Sequence, residues 1–533
     1  MLVRTSARGL RHRGPSTRPR HDAGSATVAP VQRSASRTLA VALSALSVAL
    51  VATVAATPGS PFVPILPSGA QPSGPFRWLS GLVGLDHVHG NALAAVGVVA
   101  VAFAAVAFLL VLREAWRGTI SPGFVIGLAV AYHVVVLFLP LLFSRDVYSY
   151  AYYGRIAGVY HANPYVQTPS DFPRDALALY VGPKWVDTPA VYGPLFTQLS
   201  SLVTRFVESV TALIVTFRLI AIAASLATVF VIAWVARRLW PEREAFAVAA
   251  FGLNPVVLFQ SAGSGHNDML VALCVAAALA LVTARRTKTA IAVLTLGALV
   301  KATAGVPLLL LLVAVTVCSP QGRRLRAFLG HAAVAGGIAL LFAAPFLQTE
   351  DPSLGMADLA KHEGWLAPSR LFRRLLDGAS GDTLGVVVRV AFPALLLITV
   401  FVIARSLARR APDIPPIAQG AAWGWGLLCL MLLGPVLLPW YVTWAMPLAF
   451  LLPRVPRTVL IGTGIALTVS QFSAEPDRFQ KAFDANLFFG HYVVTPVVVG
   501  LLGWLLLDLW RRARSGAPLE DQPHDVPTPA GEQ

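Results

Sequence analysis

Cysteine is nearly absent: three residues among 533, at Cys274, Cys318 and Cys429. All three lie in or beside apolar runs, at spacings that allow neither a disulfide framework nor a thiolate metal site. Charge is scarce as well. Charged residues make up 13% of the chain and hydrophobic residues 56%, whereas soluble domains carry about 25% charged residues. No soluble core of this size hides so much apolar surface, so a soluble globular protein is excluded. Lysine is rarer still, five against 37 arginines, so the net charge of +16 is an arginine charge. Those arginines sit in short clusters between apolar runs. That pattern encodes membrane topology and not a nucleic-acid face, and no nucleic-acid partner is expected. What is left is an all-α polytopic membrane protein, with membrane lipids as its solvent.

A helix needs about 20 apolar residues to cross a bilayer. Runs near 38–56, 92–112, 123–143, 211–236, 245–262, 268–284, 288–300, 302–318, 328–347, 385–407, 417–438, 440–453, 457–472 and 487–510 predict about 12–14 spans. The pairs 288–300/302–318 and 417–438/440–453 are short enough to be bent or partly re-entrant. The run 38–56 exceeds the usual 7–15 residues of a signal-peptide core and follows a long basic leader, so it is expected to stay as an anchor. Residues 1–37, with eight arginines and one aspartate, are expected to be a disordered cytoplasmic tail. The membrane domain is expected over 38–510, and a second disordered cytoplasmic tail over 511–533. With 194–210 lying in the outer interface, nearly every basic cluster ("REAWRG", "ARRLWPERE", "ARRTKT", "QGRRLR", "PRVPR") falls on one side, as the positive-inside rule requires. The two long loops, 144–210 and 348–384, then face outward, and both termini face the cytoplasm of a plasma-membrane protein.

Polar residues that interrupt this apolar background are the functional candidates. "LPLLFSRDVYSYAYYGRIAG" places Asp146 where the third span leaves the membrane. Helical spacing puts Asp146, Tyr150 and Tyr153 on one face, and Tyr148, Tyr152 and Arg155 on another. An interfacial aromatic belt accounts for some of the tyrosines, but a carboxylate gains nothing from a belt. An acid beside hydrocarbon has its ionised form disfavoured, which raises its pKa and makes it a better base. Further along the loop, "NPY" and "YGP" are proline-fixed turns that fold it back over the membrane, with Asp187 and Tyr192 at the return. "SAGSGHNDML" turns tightly on glycines and presents His266, Asn267 and Asp268; helix capping explains one of the three, not all. In "LGALVKATAG", Lys301 interrupts an apolar hairpin where it turns. Arg218 intrudes into "TALIVTFRLIAIAAS". Intramembrane cations cost about 2.5–3.5 kcal/mol at the centre of a bilayer and are functional candidates by default, although Arg218 is equally served by snorkelling. Trp365, Trp440, Tyr441 and Trp444 either stack on a ligand or join the interfacial belt, the belt being the preferred reading. Carboxylates suit deprotonation of a hydroxyl, and cations suit a phosphate carried on a lipid.

At these residues the chain resembles the bacterial polyprenol-phosphomannose-dependent α-(1→6)-mannosyltransferases of the GT-C class. The likeness lies in "SRDVYSYAYYGRIAG…NPY", "WVDTPAVYGPLFTQLS", "NPVVLFQSAGSGHNDML", "GALVKATAG" and "LPWYVTWAMPLAF", from about 120 to 455. The resemblance implies a polyprenyl-phosphate-mannose donor, a glycolipid or glycan acceptor from the cell envelope, and inverting transfer. It gives Asp146 the catalytic position in the first outer loop. It carries substrate contacts over onto His266, Asn267, Asp268 and Lys301; Tyr150, Arg155, Tyr192, Arg218 and Trp365 are expected as further substrate contacts from their own placement. Many GT-C enzymes carry paired acids in that loop. Here Arg145 precedes Asp146 with no second acid adjacent, which favours a metal-free mechanism without cofactors. Two alternatives remain: a transporter or flippase of lipid-linked sugars, and a lipid-linked oligosaccharide ligase or polymerase. Clustering of the acids at one membrane face, rather than at the midplane, speaks for an enzyme.

Overall fold

Segments inside a bilayer become helical because no water is present to satisfy an open backbone. The computed structural model describes residues 30–66, 74–347, 354–355, 364, 366–380, 382–470 and 478–522, and among them there is no strand. The longer helices are α1 (Pro30–Ala56), α2 (Gly90–Trp116), α3 (Pro122–Leu137), α4 (Asp146–Gly158), α5 (Pro194–Phe206), α6 (Val210–Leu239), α7 (Glu244–Gly252), α8 (Asp268–Thr283), α9 (Thr287–Val300), α10 (Gly305–Cys318), α11 (Arg324–Ala343), α12 (Pro368–Ser380), α13 (Asp382–Ala408), α14 (Pro416–Leu433), α15 (Arg454–Ser470), α16 (Gln480–Phe489) and α17 (Thr495–Ser515). Among the described residues, eight helical stretches are long and apolar enough to cross a membrane, and four shorter apolar helices accompany them. The protein is therefore a polytopic, all-helical membrane protein.

The centre of the bundle is the stretch Pro241–Ala262, whose apolar window is wholly buried. It does not run as one straight helix. Pro255 cannot donate an amide, and the Asn254 side chain accepts from the Val256 amide at 3.0 Å instead. Beyond that break the chain winds into a π-helical turn, Val256–Ala262, a distortion that commonly marks functional sites. Neighbouring helices pack around this axis, α6 against α8, α8 against α9, and α3 against α7. On the outside of the bundle, Leu325, Leu329, Leu340 and Leu341 of α11 and Val390, Leu397, Ile398 and Phe401 of α13 are exposed. In water this would be a large sticky patch; among acyl chains it costs nothing.

Two expectations shift, the span at 440–453 and the tail boundary at 511. The run 440–453 is not a span: it folds into short turns and 3₁₀ pieces, Pro439–Tyr441, Val442–Ala445 and Met446–Leu451, all buried. Its apolar composition suggests a helix, but Pro439, Pro447 and Pro453 each remove a helical donor. The segment 194–210 contains α5, 13 residues or about 20 Å long, too short to cross as a straight helix. It lies against α4 at very close range. A Cβ on Gly154 or Gly158 would sit 2.5 Å from the Ser200 carbonyl oxygen or 2.6 Å from that of Ser201, so small residues four apart create this contact. At the C-terminus, α17 continues to Ser515 and residues 516–522 pack onto the body, past the boundary read at 511. Arg243 and Arg457 both donate to Asp521 at 2.7 Å, and Trp425 donates to the Leu519 carbonyl at 2.9 Å. Within 348–384 the residues 348–353, 356–363, 365 and 381 lie outside the described residues, as do all of 1–29 and 523–533.

Candidate active site

Asp146 is the first residue of α4, immediately after α3 has run out. The connection is strained: Phe143, a bulky residue, has φ +57°. The amide of Phe143 donates to Phe62 at 2.6 Å, and that of Asp146 donates to the Ser144 hydroxyl at 3.1 Å. The turn at 263–267 is stitched to the same place by Ser264, which donates to the Leu142 carbonyl at 2.5 Å. Gly265 makes this approach possible. It has φ +71°, and a Cβ there would lie 2.7 Å from Val147.

This stitching brings His266 to Asp146, with Nδ1 3.6 Å from Oδ2. The same nitrogen lies 4.0 Å from Asp268 Oδ2. Asp268 in turn is held from two sides through Oδ1, by Lys301 Nζ at 2.8 Å and by the indole N–H of Trp444 at 2.6 Å. The Lys301 ammonium sits 4.6 Å from the Tyr441 ring centre and 5.4 Å from that of Trp444. Those two rings stack at 4.1 Å, so the cation is held by a carboxylate and two aromatic faces together. Trp440 lies flat on the His266 ring, centres 3.9 Å apart. Tyr150, one turn along α4 from Asp146, points its hydroxyl at His266 Nδ1 (3.2 Å) and Asn267 Oδ1 (3.4 Å). Tyr192 packs edge-on against Tyr150 at 4.8 Å.

The electrostatics follow from burial. The Asp146 side chain is 25% exposed, while those of His266 and Asp268 are at 0%. Loss of water pushes the Asp146 pKa from 3.8 up to about 6, against the opposing pull of Lys301 and the Ser144 hydroxyl. Burial, reinforced by Lys301, drives His266 well below its ordinary 6.5, so the imidazole is neutral at physiological pH. Burial likewise raises Tyr150 and Tyr192 well above 10. The site thus holds one carboxylate open to solvent and suited to accept a proton. Behind it lies unspent hydrogen-bonding capacity. Nε2 of His266, Nδ2 of Asn267, Oδ2 of Asp268, and Nε and Nη2 of Arg218 are buried without a hydrogen-bond partner among the described residues. Buried polar atoms of this kind call for water or a polar ligand.

Arg218 borders this cluster. Arg218 is buried against the exit of α3, donating Nη1 to the Leu139 carbonyl, with its main chain 3.4 Å from the Cβ position of Gly265. Snorkelling is not what it does. Arg155 is not brought to the cluster: its Nε donates to Asp175 at 2.6 Å, and Tyr160 shares that carboxylate at 2.6 Å. Trp365 lies outside the described residues. The tyrosines of α4 are not a belt. Tyr148, Tyr150, Tyr152 and Tyr153 are all fully buried, and Tyr152 and Tyr153 anchor the following loop through the Phe172 (2.5 Å) and Thr188 (2.8 Å) carbonyls. Trp440, Tyr441 and Trp444 are buried too, under the site and not at a lipid interface. The available signal for them was a dense aromatic group between prolines, in a run too broken to be a span.

The fold is that of a polytopic helical membrane protein, and it sets a partly exposed carboxylate beside buried polar and aromatic side chains. Residues 38–317 match the family described as α-(1→6)-mannopyranosyltransferase, N-terminal domain, and the chain belongs to that family. The matched region contains Asp146, Arg218, His266, Asp268 and Lys301. The chain is 29% identical over 392 residues to α-(1→6)-mannopyranosyltransferase A of Mycobacterium tuberculosis, covering 70% of this chain and 73% of that protein. It is 28% identical over 176 residues to the protein of the same description in Corynebacterium glutamicum, covering 33% and 35%. No solved structure matches the chain.

Proposed function

We propose that this membrane mannosyltransferase uses a polyprenyl-phosphate-mannose donor. In this reading it extends an extracytoplasmic cell-envelope glycan or glycolipid through an α-(1→6) linkage, with inversion. The observation that carries the reading is the pairing of a solvent-reaching carboxylate, Asp146, with buried, unspent polar groups at one end of the bundle. A hydroxyl of the acceptor approaches Asp146, which removes its proton as the oxygen attacks the anomeric carbon. The bond from that carbon to the phosphate oxygen breaks on the opposite face, and the electron pair leaves with the polyprenyl phosphate. One negative charge has then moved from Asp146 to the departing phosphate. Cations belong on that side. The Arg218 guanidinium has two nitrogens with donors to spare and is the first choice for the phosphate. Lys301, already paired with Asp268, fixes that carboxylate and lends a second positive charge nearby. Neutral His266 and Asn267, together with Tyr150, orient the sugar through their remaining donors and acceptors. Trp440 provides an apolar wall beside them.

Membranes containing the protein, supplied with mannose-labelled polyprenyl phosphate, test this directly. Transfer of single labelled mannose units into α-(1→6) linkage, resolved by methylation analysis, is the expected result. Label that changes leaflet without forming a new bond, or use only of longer lipid-linked chains, contradicts the reading.

A further inference from the structure

A second site lies at the other end of the bundle. A groove of about 450 Å³ opens between α2 and α15, walled by Leu109, Leu112, Ile461 and Ile465 and ending at Arg113 and Arg457. Phe246, near the start of α7, also lines it, whereas His266 follows 20 residues later. The buried stretch Pro241–Ala262 therefore separates the groove from the candidate active site. No acid occurs among the described residues that line it. Arg113 is exposed at its mouth. Arg457 is held in place from behind: Nη1 donates to Asp521 at 2.7 Å, and its guanidinium lies 4.2 Å from the Trp116 ring centre. Arg243 stacks on the same ring, also at 4.2 Å, and shares Asp521. The Arg457 guanidinium is therefore held in place.

We infer that this groove binds an anionic phospholipid, its headgroup phosphate on Arg113 and Arg457 and one acyl chain along the α2–α15 wall. Arg243 and Arg457 share the single carboxylate of Asp521, so with Arg113 at the mouth positive charge is in excess and calls for an anion, and the apolar wall between α2, which is long enough to cross a bilayer, and the shorter α15 calls for a hydrocarbon chain. A free phosphate satisfies the first feature and not the second. A zwitterionic lipid brings an ammonium group against two guanidiniums.

Thermal unfolding of the purified full-length protein in detergent, followed by tryptophan fluorescence with added phosphatidylglycerol, phosphatidylcholine or inorganic phosphate, tests the inference. Phosphatidylglycerol is expected to raise the melting temperature saturably, and the other two to leave it unchanged. Arg113→Gln should weaken the apparent affinity about fivefold, in line with one basic residue at a lipid surface, and Arg113→Lys should retain it. Gly462→Phe, at a position where an added Cβ meets only Leu501 at 3.6 Å, should fill the groove and abolish the response. Equal stabilisation by phosphatidylcholine, stabilisation by phosphate alone, absence of any response to phosphatidylglycerol, or wild-type affinity in both Arg113→Gln and Gly462→Phe overturns the proposal.

Discussion

Replacing Asp146 by Asn separates chemistry from stability, because the two should move in opposite directions. The substitution keeps the size of the side chain and leaves the Ser144 contact to the backbone amide in place, but it removes the base. With a pKa of about 6, about 97% of wild-type molecules carry an ionised Asp146 at pH 7.5. Loss of a general base slows transfer by about two to four decades. The folded state, in contrast, should gain. A carboxyl whose pKa rises from 3.8 to about 6 on folding binds its proton more tightly in the native protein. Native stability therefore falls as pH rises through that interval and levels off above it. The gap corresponds to about 3 kcal/mol at pH 8 and roughly half of that at pH 5. Asn carries no such cost, so Asp146→Asn should melt higher than wild type at pH 8, with a smaller advantage at pH 5. Transfer of labelled mannose in membranes and melting in detergent at the two pH values measure both effects. A folded mutant with near-normal transfer ends the base assignment; a mutant that melts lower than wild type at pH 8 refutes the burial argument.

The remaining expectations concern the groups around that carboxylate. Wild-type transfer should climb about tenfold per pH unit below 6 and flatten above it, since only ionised Asp146 accepts a proton; a flat profile from pH 5 to 8 would contradict this. Lys301→Met strands the buried Asp268 carboxylate and should cost about 3–5 kcal/mol in a melting experiment, with donor turnover lost. The double change Lys301→Met/Asp268→Asn should restore the melting temperature but not turnover. Trp444→Phe keeps the stack on Tyr441 but deletes the indole donor to Asp268; it should destabilise by about 1.5–3 kcal/mol and lower kcat more than it raises KM for donor. Arg155→Gln should leave kcat unchanged and loosen the loop that Asp175 organises, read as faster hydrogen exchange at residues 159–180.

Much of the site could be read in the chain because its polar members interrupt apolar runs, which is a local signal. Asp146 at the end of a span, the His266–Asp268 turn and Lys301 between two short helices all announce themselves this way, and the structure gathers them. Arg155 does too, but its partner Asp175 lies 20 residues on, in a loop whose path no periodicity encodes. The aromatic wall was harder. A tryptophan in an apolar run looks the same in composition whether it faces lipid headgroups or a buried carboxylate, and only the fold of the proline-broken 439–451 segment decides between them. The same limit hid the docking of residues 516–522: a short polar stretch reads as tail until Asp521 is seen between Arg243 and Arg457.

The account depends on Asp146 and Lys301 serving one pocket open to the extracytoplasmic side. In a background with Cys274, Cys318 and Cys429 replaced, single cysteines at 146 and 301 can be exposed in intact cells to a small membrane-impermeant thiosulfonate, and the double mutant to a short bifunctional one. Both positions should react from outside, and the pair should be bridged. Reaction from opposite faces of the bilayer, or failure of the pair to bridge while each site is modified, would contradict it.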